Sequence, residues 1–323
     1  MKISQSTTKM WSRIGSRATY GLSVLEMAKK YENFMVVTGD TSTSAGLDRF
    51  KNKFPERYID VGIAEQNMIG VATGLASEGM MVYTSTFSPF QTMRCCEQIK
   101  VNAGYMNHKI CMVGLASGLV LGMLGYTHCC IEDIGVLRSI PNISIISPAD
   151  CTSTVKAVSE SAMHPNSVYI RLTGGAPNPT IYHDDFDFKI GAGITLKEGN
   201  DIAIIANGTM VHKSLEASEL LSEGKIDCTV VDMHTVKPID CDLIDKLSTS
   251  HKLIVTIEEH NIIGGLGSAV SEYISSLDNA PPLLKVGIQD EYGSAGSYET
   301  LLKQKKLLSD QIANMIANRY YSI

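Results

Sequence analysis

The stretch Asp60-Val61-Gly62-Ile63-Ala64-Glu65-Gln66-Asn67-Met68, continued by Ile69-Gly70-Val71-Ala72-Thr73-Gly74-Leu75-Ala76, decides how the chain is read. It joins a short strand over 58–61 to a Gly/Ala-rich helix over 64–78. Glu65 stands at the opening of that helix. The helix dipole favours an acidic side chain in a first turn, so a solvated Glu is the ordinary reading. The neighbourhood argues against it, because Ala64, Ile69, Val71, Ala72, Leu75 and Ala76 leave little polar face for water.

Working outward, helical patterns alternate with short apolar runs. A helix over 19–31 precedes a buried strand over 34–39, which ends at Asp40 in a Thr/Ser-rich turn. Further on come a strand over 81–86, a helix over 91–101, a strand over 109–114, a helix after Pro148 and a strand over 167–172. Such alternation predicts a mostly parallel sheet with helices on both faces. A Pro- and Asp-rich run over 176–188 reads as a linker. The pattern then restarts with strands over 202–206, 227–232 and 252–258 and a helix over 211–223. The expected fold class is α/β with two domains, residues 1–180 and 181–323.

Composition limits the function. At 323 residues the chain exceeds what one hydrophobic core usually serves. A formal charge of -6 argues against nucleic acid as a partner, since phosphate binding calls for a basic patch. Apolar runs break well before the ~20 residues of a membrane span, and residues 1–17 lack the ~7–15-residue apolar core of a signal peptide. A cytoplasmic protein without membrane contact is expected. The 8 cysteines include the neighbours Cys95-Cys96 and Cys129-Cys130, show no zinc-ligand spacing and read as reduced, mostly buried thiols.

Several motifs follow the apolar runs, where open α/β sheets bind ligands. They are Thr38-Gly39-Asp40, the Glu65 segment, Thr84-Ser85-Thr86-Phe87-Ser88-Pro89-Phe90, Gly125-Tyr126-Thr127-His128, Ile131-Glu132-Asp133-Ile134-Gly135-Val136-Leu137-Arg138, Pro141-Asn142 and Ser147-Pro148-Ala149-Asp150. The second domain adds Lys237-Pro238-Ile239-Asp240, Glu258-Glu259-His260 and Gly264-Gly265-Leu266-Gly267-Ser268, the last read as a tight turn before a helix. In this order they resemble the pyrimidine-binding and C-terminal domains of transketolase and related thiamine-diphosphate enzymes, over nearly the whole chain.

By themselves, Phe87 and Phe90 read as core packing, Asp40 as a turn residue and His128 as a loop histidine. The resemblance gives them other work. It implies that Glu65 hydrogen-bonds a ring nitrogen of the cofactor's aminopyrimidine and so promotes formation of the thiazolium carbanion that attacks the substrate carbonyl. Phe90 would stack on that ring, Phe87 would line the same seat, and Asp40 would lie nearby at a dimer seam. Offset stacking is worth roughly 0.5–1.5 kcal/mol beyond area burial. His128 would face the reacting carbons, with Ser44 and Arg171 as further substrate contacts. No metal ligand is expected in this chain.

Departures from the family are equally informative. The Gly-Asp-Gly…Asn motif that holds magnesium and the diphosphate does not precede Glu65. The chain is therefore expected to be the C-terminal subunit of a split enzyme. A separate N-terminal subunit would carry most of the thiamine diphosphate and Mg2+ contacts, and self-association would give an α2β2 assembly. Ala116 stands where sugar-phosphate transketolases carry a histidine, and Leu124 where they carry an aspartate. Tyr20 and Gly174 fall where two acceptor-phosphate arginines are expected, with Arg171 close by as a substitute. Bidentate arginine clamps are hard to replace, which argues against a small phosphorylated acceptor. The expected activity is transfer of a two-carbon unit from a ketose or 2-keto acid to an aldose or sugar-derived acceptor. The alternatives are the beta subunit of a 2-keto-acid dehydrogenase, which the 125–128 and 131–138 motifs fit less well, and a non-catalytic regulatory relative.

Overall fold

The computed structural model describes all residues from Met1 to Ile323. The first half supplies β1 (Phe34–Thr38), β2 (Tyr58–Asp60), β3 (Met81–Phe87), β4 (Cys111–Ser117), β5 (Ile143–Ile146) and β6 (Ser167–Thr173). The second supplies β7 (Ile194–Lys197), β8 (Ile202–Ala206), β9 (Cys228–Asp232), β10 (Thr235–Lys237), β11 (Leu253–Asn261) and β12 (Leu283–Ile288). One sheet has the order β10-β5-β6-β4-β3-β1-β2 and the other β12-β11-β8-β9-β7. Every neighbouring pair is parallel except β10 with β5 and β7 with β9. The fold is α/β with two mostly parallel sheets flanked by helices.

Apart from the edge strand β2, which has no buried residue, the strands read from sequence are largely buried on both faces, as parallel strands between helical layers must be. β1, β4, β6, β8 and β9 have no exposed residue. Two elements differ from expectation. The N-terminal helix begins at Gln5 rather than residue 19 and is interrupted at Gly15, whose φ of 81° an L side chain rarely adopts. A Cβ there would also lie 2.9 Å from the Gly175 carbonyl oxygen. The helix expected over 91–101 is a succession of short turns from Ser88 that ends in a wide-turn segment, Ile99–Tyr105, because Thr92 (φ -113°, ψ -76°) breaks the ladder.

The two sheets share one core. A single apolar cluster contains Val37, Met68, Ile99 and Ile134 from the first half and Ile205, Val231, Met233 and Leu266 from the second. β10 then crosses over to pair with β5, so the second half of the chain finishes the first sheet. All other strands of that sheet lie before residue 180.

Candidate functional site

The helix Glu65–Ser77 buries Glu65, Met68, Ile69, Ala72 and Thr73, the i, i+3, i+4 spacing of one face. Glu65 belongs to that face and is only 3% exposed. Its side chain makes one hydrogen bond, accepted at Oε1 from Arg94 Nη1 at 2.8 Å. Gly39, just past β1, approaches so closely that an added Cβ would sit 3.2 Å from Glu65 Cγ. Asp40 follows in the left-handed region at φ 55°. The N–H groups of Asp40 and Gly62 both donate to Asp60 Oδ1 at 3.0 Å, which ties the turns after β1 and β2 together beside Glu65.

β3 delivers Phe87 at its end, and a short turn opened by Ser88 and Pro89 delivers Phe90. Their ring centroids are 6.4 Å apart. His128 stands edge-on to both, 6.0 Å from Phe87 and 5.4 Å from Phe90. The Arg94 guanidinium lies 3.8 Å above the Phe90 ring centroid, a cation–π distance. Glu65, Arg94, Phe90, His128 and Phe87 thus form one continuous group of side chains at the carboxyl ends of β2, β3 and β4. Beside it, a cleft of about 540 Å³ is lined by Ile63, Ala64, Glu65, Gln66, Asn67 and Arg94.

His128 is held from the second half of the chain. Its loop begins at Gly118, which exchanges backbone hydrogen bonds with Cys130, and the Leu119 N–H donates to Glu259 Oε1 at 2.6 Å. Thr209 Oγ1 and Tyr298 Oη also donate to Glu259 Oε2, at 2.9 and 2.7 Å. The neighbouring Glu258 accepts from the N–H groups of Leu266 and Gly267 at 2.7 and 2.8 Å, and so caps the helix Leu266–Ile274. His260 accepts from the Gly135 N–H through Nε2 and donates through Nδ1 to its neighbour's carbonyl at Asn261. Burial pushes Glu258 up to about 7 and His260 down to about 4. Sequence reasoning finds no task for Glu258-Glu259-His260. The structure gives it one: Glu259 braces the loop that carries His128, while Glu258 and His260 anchor the starts of the helices Leu266–Ile274 and Asp133–Arg138.

Of the residues singled out from sequence, Glu65, Phe87, Phe90 and His128 come together, with Asp40 beside Glu65. Ser44 sits half-buried in the turn after β1 and has no hydrogen bond. Arg171 requires a correction. It is fully buried, with Nε on both Asp133 oxygens at 3.0 and 2.9 Å and Nη2 on the carbonyls of Cys130 and Glu259 at 3.3 and 2.9 Å. A guanidinium so committed cannot reach a substrate. The positions expected for phosphate arginines offer no clamp either: Tyr20 is fully buried, and a Cβ on Gly174 would meet Thr209 Cγ2 at 2.6 Å. Arg94 is the site residue that sequence reasoning missed, since nothing in the spacing of residues 65 and 94 signals contact.

The cysteines are all free, and burial pushes the thiols of Cys95, Cys111 and Cys129 up to about 12, 11 and 11. No group of three or more His, Cys, Asp or Glu side chains is arranged to hold a metal ion.

Residues 12–177 match the family described as transketolase, pyrimidine binding domain, and residues 191–312 match transketolase, C-terminal domain. A protein of Methanocaldococcus jannaschii described as a putative transketolase C-terminal section is 40% identical, over 94% of this chain and 95% of its own. One of the subunits of the apulose-4-phosphate transketolase of Phocaeicola vulgatus is 36% identical, over 86% and 88%. A solved split-gene transketolase, described as an inactive beta4 tetramer, superposes with a TM-score of 0.85 at 34% identity, covering 94% of this chain and 97% of that one. The chain therefore belongs to the transketolase family.

Proposed function

We propose that the chain is the C-terminal subunit of a split transketolase that moves a two-carbon unit between sugars with thiamine diphosphate. The observation that carries this reading is the buried Glu65 carboxylate, with a single partner on it, placed beside the Phe90, Phe87 and His128 rings. These residues fit an aminopyrimidine: an acceptor for a ring N–H, an aromatic face to stack on, and an imidazole close by. When bound, thiamine diphosphate supplies a nucleophilic carbon and an electron sink.

The protein's own part is positioning and proton management. Glu65, in an environment nearly free of water, would hold a ring proton in place. Phe90 would fix the plane of the ring, with Phe87 closing the side of the seat. His128, held by the loop that Glu259 braces, would exchange a proton with the reacting oxygen of the substrate. With no arginine clamp at Tyr20, Gly174 or Arg171, the acceptor is read as unphosphorylated or held through its distal part. The Phocaeicola vulgatus relative is named for a sugar phosphate, which favours a sugar donor over a 2-keto acid.

That relative is one subunit of its enzyme, and the solved neighbour is the product of a split gene; both support a separate N-terminal partner that carries the Mg2+ and diphosphate contacts. Gly70 and Gly74 are exposed, with open space where a Cβ would project, and we read the helix face they share as the one available for self-association in an α2β2 assembly. No helix is long and apolar enough to cross a membrane, in keeping with work in the cytoplasm. The test is to titrate thiamine diphosphate and Mg2+ into this chain, the partner and their mixture, then to supply ketose phosphates or pyruvate with a lipoyl domain. Tight binding only in the mixture, with transfer between sugars, is the expected result. Acyl transfer to the lipoyl domain, or a mixture that binds no better than either half, would refute the proposal.

A further inference from the structure

Arg94 occupies the place where a ligand ring would lie. Its guanidinium is planar, presents N–H donors along its edge and offers a π face. The edge donates to the single partnered oxygen of Glu65 at 2.8 Å, and the face rests 3.8 Å from the Phe90 centroid. An aminopyrimidine stacked on Phe90 and bonded to Glu65 needs the same two contacts in the same relative geometry. A ring cannot share that face, because aromatic pairs themselves require centroids about 4.5–7 Å apart.

The rest of Arg94 suits a movable occupant. Its backbone is fixed, with the carbonyl accepting from Gln66 Nε2 at 3.1 Å. Its side chain is 40% exposed, whereas that of Glu65 is 3% exposed, so the arginine can swing into water while the carboxylate cannot. The long unbranched stem permits that swing without disturbing β3 or the helix Glu65–Ser77.

We infer that Arg94 is a built-in occupant of the pyrimidine seat, which the cofactor must displace, and that it thereby sets the affinity of this chain for aminopyrimidines. The inference rests on the proposed function, since it assumes that the Glu65–Phe90 seat takes an aminopyrimidine. In the free chain Arg94 keeps Glu65 paired. The apparent affinity for a ligand is then reduced by the fraction of molecules in which the seat is open.

The probes are thiamine and its free aminopyrimidine half, titrated calorimetrically into the full chain and into the chain mixed with its partner subunit. Arg94→Met keeps the length of the stem and removes charge and donors. It is expected to bind both probes about tenfold more tightly than wild type, or about 1.4 kcal/mol. Arg94→Lys, which keeps a point charge but loses the stacking plane, should fall between the two. Glu65→Gln should lose binding in either background. If Arg94→Met binds equally or more weakly while binding still depends on Glu65, the inference fails and the proposed function stands. If neither probe binds in any background and Glu65→Gln changes nothing, the proposed function itself fails.

Discussion

Arg171 Nε lies 2.9 Å from Asp133 Oδ2, with both side chains almost wholly excluded from water and Tyr169 Oη donating to the same carboxylate oxygen at 2.7 Å. The pair joins β6 to the helix Asp133–Arg138, and Arg171 continues to the carbonyl of Glu259 at the end of β11. Removing one partner of a buried ion pair strands the other charge. Asp133→Ala should therefore cost about 3–5 kcal/mol in urea unfolding. The double variant Arg171→Met/Asp133→Leu should recover a large part of that loss. Additive losses would show that the two side chains act independently.

Glu65→Gln preserves shape and one hydrogen-bonding oxygen but cannot hold a shared proton as a carboxylate does. In the assembled enzyme, turnover should fall by about 10²–10⁴, the range typical of a lost proton-transfer group. Thermal unfolding of the chain should change little, because the Arg94 contact is half-exposed. Turnover within a factor of two of wild type would remove Glu65 from the mechanism.

Phe90→Ala deletes the surface on which a ring would rest and the packing edge of His128. Stacking is worth about 0.5–1.5 kcal/mol, so thiamine diphosphate should bind roughly 2- to 13-fold more weakly to the assembled enzyme. Phe87→Ala, one ring further out, should have the smaller effect. The comparison is made by calorimetry with Mg2+ fixed, and a reversed order would place the seat against Phe87 instead.

Stability should also depend on pH. Asp232 is buried, with Oδ2 accepting from Tyr182 Oη at 2.7 Å, and burial, with Asp150 adding to it, pushes its carboxyl up to about 8. Glu258 sits near 7 for the same first reason. In the unfolded chain both release their protons near pH ~4. Between those values the folded state holds protons that the unfolded state has lost, so stability falls as pH rises, by at most about 1.4 kcal/mol per unit for each group. His234 and His260, both pushed down to about 4 by burial, act in the opposite sense, but only below about pH 6.5, where an unfolded imidazole is charged. Urea midpoints should therefore decline from about pH 6.5 to 8, and Asp232→Asn should flatten the decline. A wild-type curve that rises over that interval would contradict this assignment of protons.

Much of the architecture could be read from local pattern, because strands such as β1 and β8 are continuous apolar runs that end in turn residues. β5 escapes notice because its four residues directly follow the turn at Asn142, too short a run to stand out. β10 carries no local signal, since its only reason to be extended is β5, reached through the tertiary fold. The site divides in the same way. Glu65, Phe87, Phe90 and His128 are marked by motif, and an acidic residue on an apolar helix is visible in one dimension. Arg94 is not, because a long flexible cation advertises nothing until its neighbours are in place. Arg171 misleads for the converse reason: an arginine looks like an anion ligand in sequence, and only burial shows that Asp133 already has it.

The crossing of β10 bears on how such a chain can be cut and rejoined. A polypeptide severed in the run 176–188 would leave β5 as a bare edge, open to pairing with any extended segment, and would split an apolar cluster to which both halves contribute. Each fragment, once separated, would expose apolar surface that the other now covers. Modular exchange by recombination or by protein engineering should therefore treat both sheets as one cassette, with any productive junction lying outside it.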